Sequence, residues 1–173
     1  THEFMDFCEA VGAKAYFAAN LTSVPPLHIR DWVDYCLSPQ GSTTLALERE
    51  KNGHPEPFDI PYWGVGNENW GGGGNMTPEY YADLYRRFQT YVRQYGEHKL
   101  FKIACGPSGA DYNWTEVLMK KADPFMDGLS LHYYTVDPDW DTRKTASDYN
   151  EKDWYNMLAK ASKMEELVHI NDE

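Results

Sequence analysis

The chain has 173 residues, of which 42% are hydrophobic and 15% aromatic, enough for one domain with a packed core. Acidic residues outnumber basic ones by 27 to 16, which gives a net charge of −11. A chain this acidic has no general attraction for nucleic-acid backbones or anionic membranes, and it contains no apolar run long enough to span a bilayer. The composition therefore predicts a folded domain whose partners are neither nucleic acid nor membrane.

The three cysteines, Cys8, Cys36 and Cys105, are widely spaced and form no CxxC pair. This pattern excludes a disulfide-rich scaffold and gives no support to a structural zinc site. We expect three reduced, buried or half-buried thiols. The chain opens with Thr1-His2-Glu3-Phe4, which has none of the features of a signal peptide, so we expect a cytoplasmic protein.

The first part of the chain predicts two helices around one strand. Apolar residues at helical spacing predict a helix over His2–Val11, and Gly12 stands where a helix would stop. A short strand is predicted over Ala13–Ala19. A helix over His28–Leu37 follows, and a short helical turn is predicted near Leu45–Lys51.

The next segment begins with an apolar strand, Tyr62–Gly66, and four consecutive glycines, Gly71–Gly74, then predict a loop. Thr77 as N-cap, followed by a proline, predicts the start of a long helix that Gly96 closes. The tyrosines on its apolar stripe, which include Tyr81, are predicted to pack against the sheet.

The remaining elements continue the alternation of strands and helices. A strand is predicted over Leu100–Ala104, a loop over Gly106–Gly109 and a helix over Trp114–Ala122. A strand over Gly128–His132 and a final helix from about Asp153 to about Val168 follow. Strands that alternate with helices predict an α/β fold with a parallel sheet covered by helices. No GxGxxG or GxxxxGK[ST] motif is present, which disfavours a dinucleotide or nucleotide-phosphate site.

Glu68 is the strongest candidate for a catalytic residue, because it directly follows an apolar strand and lies between Asn67 and Asn69. A carboxyl group beside Trp70 is desolvated, which should raise its pKa and suit it to general acid catalysis. The amide of Asn67 could bind a sugar hydroxyl, and the face of Trp70 suits a sugar ring. The alternative is that Glu68 only caps or pairs within a loop.

His132, Tyr133 and Tyr134 form a second polar cluster at a strand end. The histidine could donate to a carboxylate or to substrate, and a tyrosine could orient a carboxylate. The alternative is ordinary packing at the end of a strand. The six histidines show no HxH or HExxH spacing, so no metal site is predicted, and Ser108 is not in a GxSxG nucleophile motif.

An extended motif resembles the α-L-arabinofuranosidases of glycoside hydrolase family fifty-one. It comprises Tyr62-Trp63-Gly64-Val65-Gly66-Asn67-Glu68-Asn69-Trp70-Gly71 and the helix segment Pro78-Glu79-Tyr80-Tyr81-Ala82. Further segments that resemble the family are Thr1-His2-Glu3-Phe4, Arg30-Asp31-Trp32-Val33, Ser130-Leu131-His132 and Asp153-Trp154-Tyr155. The Gly-Asn-Glu strand end is common to the whole clan of (β/α)8 retaining glycosidases, whereas the extended match is far more specific.

The resemblance implies a role for each matching residue. Glu68, at the end of the fourth barrel strand, would be the acid/base, and Asn67 would bind the 2-hydroxyl of the furanose. His132 and Tyr134 would contact substrate and the nucleophile from the end of the sixth strand. Trp70 would line the subsite wall, and Asn20 would lie at the end of the third strand. The mechanism requires no cofactor and no metal.

The resemblance also implies that residues 1–173 are a TIM-barrel fragment, approximately barrel strands three to six with their helices. The C-terminal half of the barrel and a β-sandwich domain would lie outside it, and so would the nucleophile at the end of the seventh strand. Asp172 and Glu173 superficially match an Asp-Glu strand end. The preceding predicted helix leaves no room for a barrel strand, so Glu173 is a poor nucleophile candidate.

The function implied is release of terminal α-L-arabinofuranose from arabinan- or arabinoxylan-type oligosaccharides with net retention. Two alternatives stay open. One is another retaining glycosidase of the clan, such as a xylanase, glucanase or xylosidase. The other is a non-catalytic carbohydrate-binding or truncated fragment. Members of the family are often oligomeric, so a homo-oligomer is also possible.

Overall fold

A four-stranded parallel sheet with helices along the chain organises the computed structural model, which describes residues 1–97 and 99–172. The strands are β1 (Tyr16–Ala19), β2 (Tyr62–Val65), β3 (Phe101–Ser108) and β4 (Gly128–His132). The helices are α1 (His2–Val11), α2 (Pro26–Leu37), α3 (Thr44–Lys51), α4 (Pro78–Phe88), α5 (Tyr112–Ala122), α6 (Glu151–Ala161) and α7 (Lys163–Asp172). Short 3-10 turns follow α4 and α5, over Gln89–Tyr91 and Asp123–Phe125.

The strands lie side by side in chain order, β1-β2-β3-β4, and all three pairings are parallel. Tyr16 is in register with Tyr62, and Tyr62 with Phe101. The carboxyl ends of all four strands therefore meet at one edge of the sheet, as the predicted α/β pattern requires.

The helices cover one face of this sheet. Along β1 the buried residues are Phe17 and Ala19, and the intervening positions are exposed. Phe17 stacks on Trp32 of α2 with ring centroids 5.0 Å apart, and Trp32 packs edge-on against Trp63 of β2 at the same distance. The opposite face is open, with Tyr16 43% and Tyr62 36% exposed. Within the described residues, one face of the sheet is therefore covered by helices and the other face is uncovered.

Several predicted boundaries are confirmed. Helix α1 and strand β4 have the predicted limits, and Gly12 ends α1 in the left-handed conformation with φ 68°. The side chain of Thr77 caps α4 by accepting from the backbone N–H of Tyr80. The apolar stripe of α1 is largely uncovered, however: Phe7 is 62% exposed and only Cys8 is buried.

Other boundaries differ from prediction. Strand β3 continues through Gly106 and Pro107, which the sequence assigned to a loop. The predicted last helix is two helices, α6 and α7, which meet at Ser162. The hydroxyl of Ser162 donates to the carbonyl of Leu158, a back-bond that bends helices. Glu173, rejected above as a nucleophile, lies outside the described residues.

Within residues 1–97 and 99–172, no helix combines the length and apolar character needed to cross a membrane. The three cysteines are free and buried, as predicted.

Candidate active site

Glu68 lies on an unusual turn directly after β2. Gly66 has φ 98° and Glu68 has φ 46°, so the chain enters the left-handed region twice within three residues. A non-glycine residue in this region costs about 1–3 kcal/mol and persists only where its surroundings fix it. At Gly66 a Cβ atom would overlap the side-chain oxygen of the buried Asn69. The turn therefore requires glycine at 66 and imposes strain at 68.

The glycine run holds this turn in place. The backbone N–H groups of Gly71 and Gly73 both donate to the carbonyl of Glu68 at 2.9 Å, and Met76 N–H donates to the carbonyl of Asn69 at 2.7 Å. A Cβ at Gly73 would overlap the carbonyl oxygen of Asn67 and lie 2.8 Å from that of Glu68. The loop predicted from the four glycines thus folds back over the preceding residues and stabilises the turn at Glu68.

The carboxylate of Glu68 is met by two side chains from the end of β4. Its Oε1 accepts from the hydroxyl of Tyr134 at 2.8 Å and lies 3.0 Å from Nδ1 of His132. Both partners are more than 60 residues away in sequence, so the parallel sheet alone brings them together. The side chains of Glu68 and His132 are 24% and 23% exposed, which leaves the carboxylate accessible from the open side of the sheet.

These contacts reverse the predicted direction of the pKa shift at Glu68. The hydrogen bond from Tyr134 lowers the pKa of this carboxyl group, burial opposes that by raising it, and His132 lowers it further. The net pKa lies below the usual value. The prediction that desolvation beside Trp70 raises it is wrong for this segment, because hydrogen bonds to the charged form outweigh burial.

Trp70 lies beside this pair. Its Nε1 donates to the carbonyl of Gly106 at 3.0 Å, and its ring meets that of His132 edge-on, with centroids 6.1 Å apart and an interplanar angle of 79°. Trp70 is half-buried. The indole therefore fixes one side of the His132 ring and presents part of its surface at the edge of the sheet.

Asn67 and Asn20 line a shallow depression between the ends of β1 and β2. Asn67 is exposed and directly precedes the catalytic candidate. The side-chain oxygen of Asn20 instead accepts from the backbone N–H groups of Thr22 and Ser23, and its amide donates to the Ser23 hydroxyl at 2.8 Å. Asn20 thus shapes the loop after β1, and its contact with substrate stays a prediction.

Three supporting residues were not recognised as part of the site from the sequence. Tyr81 and Cys105 lie buried beneath the turn, and Trp140 packs edge-on against Tyr134 with ring centroids 5.2 Å apart. Tyr81 belonged to an apolar stripe, where a tyrosine is indistinguishable from a core residue. The glycine spacing was the only sequence signal that something specific lies under Glu68. Among the described residues, no group of three His, Cys, Asp or Glu side chains could hold a metal ion.

The sequence and the fold are both similar to those of known proteins. The family described as "Alpha-L-arabinofuranosidase 1 domain" matches residues 1–154. An "Intracellular exo-alpha-L-arabinofuranosidase" of Bacteroides ovatus is 45% identical over 168 residues, covering 97% of this chain and 32% of the relative. The chain thus spans about a third of the length of that relative.

Solved structures show the same relationship. A GH51 arabinofuranosidase from Xanthomonas axonopodis pv. citri is 46% identical with a TM-score of 0.94, covering 99% of this chain and 35% of the other. The α-L-arabinofuranosidase of Thermotoga maritima, solved as an arabinose complex, is 26% identical with a TM-score of 0.70, covering 99% and 34%. The described sheet and helices are a fragment of the (β/α)8 barrel of such proteins, and the chain belongs to the α-L-arabinofuranosidases of glycoside hydrolase family fifty-one.

Proposed function

We propose that the protein containing this chain is a retaining, exo-acting α-L-arabinofuranosidase in which Glu68 is the acid/base. The observation that carries the proposal is the placement of Glu68. Its carboxylate lies on a strained turn at the carboxyl end of a parallel strand, held by His132 and Tyr134. Catalytic groups of β/α barrels lie at this edge of the sheet. The Bacteroides ovatus relative is named as an exo-α-L-arabinofuranosidase, which supports the same substrate class for this chain.

The proposed reaction has two steps. In the first, protonated Glu68 gives its proton to the glycosidic oxygen while a second carboxylate attacks the anomeric carbon, and the aglycone leaves as an alcohol. In the second, ionised Glu68 takes a proton from water, whose oxygen displaces the enzyme carboxylate. Two inversions give net retention, and the two carboxyl groups must lie about 5–5.5 Å apart. We propose that the nucleophile comes from a barrel strand outside residues 1–173.

The lowered pKa of Glu68 suits the second step of this reaction. A second carboxylate at about 5 Å opposes ionisation of Glu68 and raises its pKa, as in other carboxylate pairs. Once that carboxylate becomes a neutral ester with the sugar, the repulsion disappears. The hydrogen bonds from Tyr134 and His132 then favour the ionised form of Glu68, which the second step needs as a base.

We assign substrate contacts to the neighbouring side chains. The exposed amide of Asn67 would bind the 2-hydroxyl of the furanose, and Trp70 would form a wall of the subsite. Asn20 would contribute from the opposite side of the depression between β1 and β2. The substrates would be arabinan- or arabinoxylan-type oligosaccharides, and this mechanism requires no cofactor.

We further propose that residues 1–173 supply barrel strands three to six, with the other strands and a β-sandwich domain elsewhere in the protein. A cytoplasmic location is also proposed. The Bacteroides ovatus relative is named as intracellular, and three free, buried cysteines suit a reducing compartment.

The test uses a grafted enzyme, in which residues 1–173 replace the matching segment of the Bacteroides ovatus relative. We expect it to hydrolyse aryl α-L-arabinofuranosides and arabino-oligosaccharides, and to act far less on aryl β-xylosides. Glu68→Ala should lose much more kcat/KM on oligosaccharides than on 4-nitrophenyl arabinofuranoside, because an activated phenolate leaves without protonation. A graft that melts cooperatively but is inert, a preference for xylosides, or equal losses on both arabinosides would contradict the proposed function.

A further inference from the structure

A buried hydroxyl lies where strands β2 and β3 separate beneath Glu68. The two strands pair in register as far as Val65 and Ala104. The hydroxyl of Tyr81, on α4, donates to the carbonyl of Val65 at 2.7 Å and accepts from the backbone N–H of Cys105 at 2.6 Å. Tyr81 thus satisfies one group from each strand just where the chain leaves β2 to form the Gly66 turn.

The thiol of Cys105 connects this hydroxyl to the turn that carries Glu68. Its sulfur accepts from the backbone N–H of Asn69 at 3.4 Å and approaches the carbonyl of Gly106 at 3.5 Å. The backbone of Glu68 also lies close enough to this sulfur to lower the pKa of the thiol, against the larger effect of burial. Burial raises the pKa of the Cys105 thiol to about 11, so the thiol stays neutral and can donate and accept at once. The strained turn at Glu68 therefore rests on Cys105, and the backbone of Cys105 is fixed by Tyr81.

We infer that Tyr81 is a positioning residue for the acid/base, acting through Cys105 on the backbone of Glu68 and Asn69. The inference deepens the proposed function and rests on it. Tyr81 touches neither substrate nor the reacting carboxylate. Its hydroxyl fixes the separation of two strand ends, and that separation sets where the left-handed turn places the Glu68 side chain. Displacements of about 1 Å in a catalytic group can lower rates by about 100-fold.

The chain offers a matched control for the role of the hydroxyl. Tyr85, one helical turn further along α4, is also fully buried, and its hydroxyl donates to the carbonyl of Phe125 at 3.0 Å, away from the site. Tyr81→Phe and Tyr85→Phe each remove one buried hydroxyl and keep the ring. The stack of Tyr81 on Trp114, with centroids 5.4 Å apart, is retained in Tyr81→Phe. Each change should lower the melting temperature of the grafted enzyme, because backbone groups lose a hydrogen-bond partner: the carbonyl of Phe125 in Tyr85→Phe, and both the carbonyl of Val65 and the N–H of Cys105 in Tyr81→Phe.

The experiment compares these variants in the grafted enzyme. For Tyr81→Phe we expect a loss of at least about tenfold in kcat/KM on arabino-oligosaccharides and a loss below about threefold on 4-nitrophenyl arabinofuranoside. Tyr85→Phe should change both by less than about twofold while also melting at a reduced temperature. If the two variants behave alike, or if Tyr81→Phe affects both substrates equally, Tyr81 is only a structural residue.

Cys105 provides an independent arm if Tyr81→Phe fails to fold. Cys105→Ala should show the same selective loss on poor leaving groups, and Cys105→Ser, whose hydroxyl can donate and accept, should recover part of it. Equal kinetics for Cys105→Ala and the unmodified graft would overturn the inference. Hydrolysis by the unmodified graft separates these outcomes from failure of the proposed function, because a graft that melts cooperatively but is inert contradicts the function itself.

Discussion

The hydroxyl of Tyr134 donates to Oε1 of Glu68 across 2.8 Å and is the largest cause of the lowered pKa of that carboxyl group. The bond is made to the charged form, so it favours ionisation. In the proposed reaction, this bond competes directly with the requirement that Glu68 be protonated when it acts as an acid. The balance between these two demands determines the pH range in which both reaction steps can occur.

Removing this hydrogen bond should move the pH profile in a defined direction. Tyr134→Phe raises the pKa of Glu68, so the protonated form persists to higher pH. The basic limb of kcat/KM in the grafted enzyme should therefore shift upward, and kcat should fall where the second step needs the ionised base. Tyr133→Phe is the control, since that hydroxyl donates to the carbonyl of Lys160 at 2.9 Å instead. A downward shift, or equal shifts in both variants, would contradict the assignment.

Asn67 should act on one hydroxyl of the substrate. Asn67→Ala is expected to lower kcat/KM for an arabinofuranoside by about tenfold or more, the loss of one hydrogen bond that strengthens in the transition state. A 2-deoxy analogue already lacks this hydroxyl, so Asn67→Ala should lower kcat/KM for the analogue only slightly relative to the unmodified graft. The double-mutant cycle measures the coupling, and strictly additive losses would show that Asn67 and the 2-hydroxyl do not interact.

The glycine run offers a test of how the Glu68 turn is held. Gly73→Ala places a Cβ against the carbonyls of Asn67 and Glu68, which are backbone atoms and can move only with the turn. We expect a loss of about 2–3 kcal/mol in the free energy of unfolding together with a large loss of activity. At Gly72 a Cβ meets nothing within 4 Å, so Gly72→Ala is the control. Thermal melts that rank the two substitutions in the opposite order would contradict the described loop.

The open face of the sheet predicts the behaviour of residues 1–173 prepared alone. Tyr16 and Tyr62 expose apolar surface there, and a parallel sheet of this kind is normally covered on both sides. We expect the isolated segment to associate and to bind a hydrophobic dye, as measured by light scattering and fluorescence. A monodisperse monomer with cooperative melting and no dye binding would contradict the half-barrel description.

The order of strands and the position of Glu68 at a strand end were predictable because periodicity and glycine spacing are local signals. Strand β3 was not predicted beyond Ala104, since glycine and proline usually end strands. Here Gly106 lies so close to β4 that a Cβ would overlap the carbonyl of Ser130, and the register shifts between Cys105 and Ser108. Because the two strands approach so closely at this point, glycine fits at position 106 within a strand. No local sequence pattern encodes this approach.

The chemical state of Glu68 was less predictable than its position. Sequence proximity indicated Trp70 as its environment, whereas the dominant partner is Tyr134, 66 residues away. The supporting hydroxyl of Tyr81 was hidden for a similar reason, because its partners lie on two strands that the sequence does not align. Contacts across the sheet edge depend on register, and register follows from packing of the whole sheet.

The most direct measurement of the central claim is chemical rescue of Glu68→Ala in the grafted enzyme. With 4-nitrophenyl α-L-arabinofuranoside the first step needs little acid, and the glycosyl-enzyme accumulates because water lacks its base. Azide attacks without base catalysis, so we expect it to restore turnover and to give arabinofuranosyl azide of retained anomeric configuration, as read by NMR. An azide of inverted configuration would instead make Glu68 the nucleophile, and the absence of any rescue would contradict its role as the acid/base.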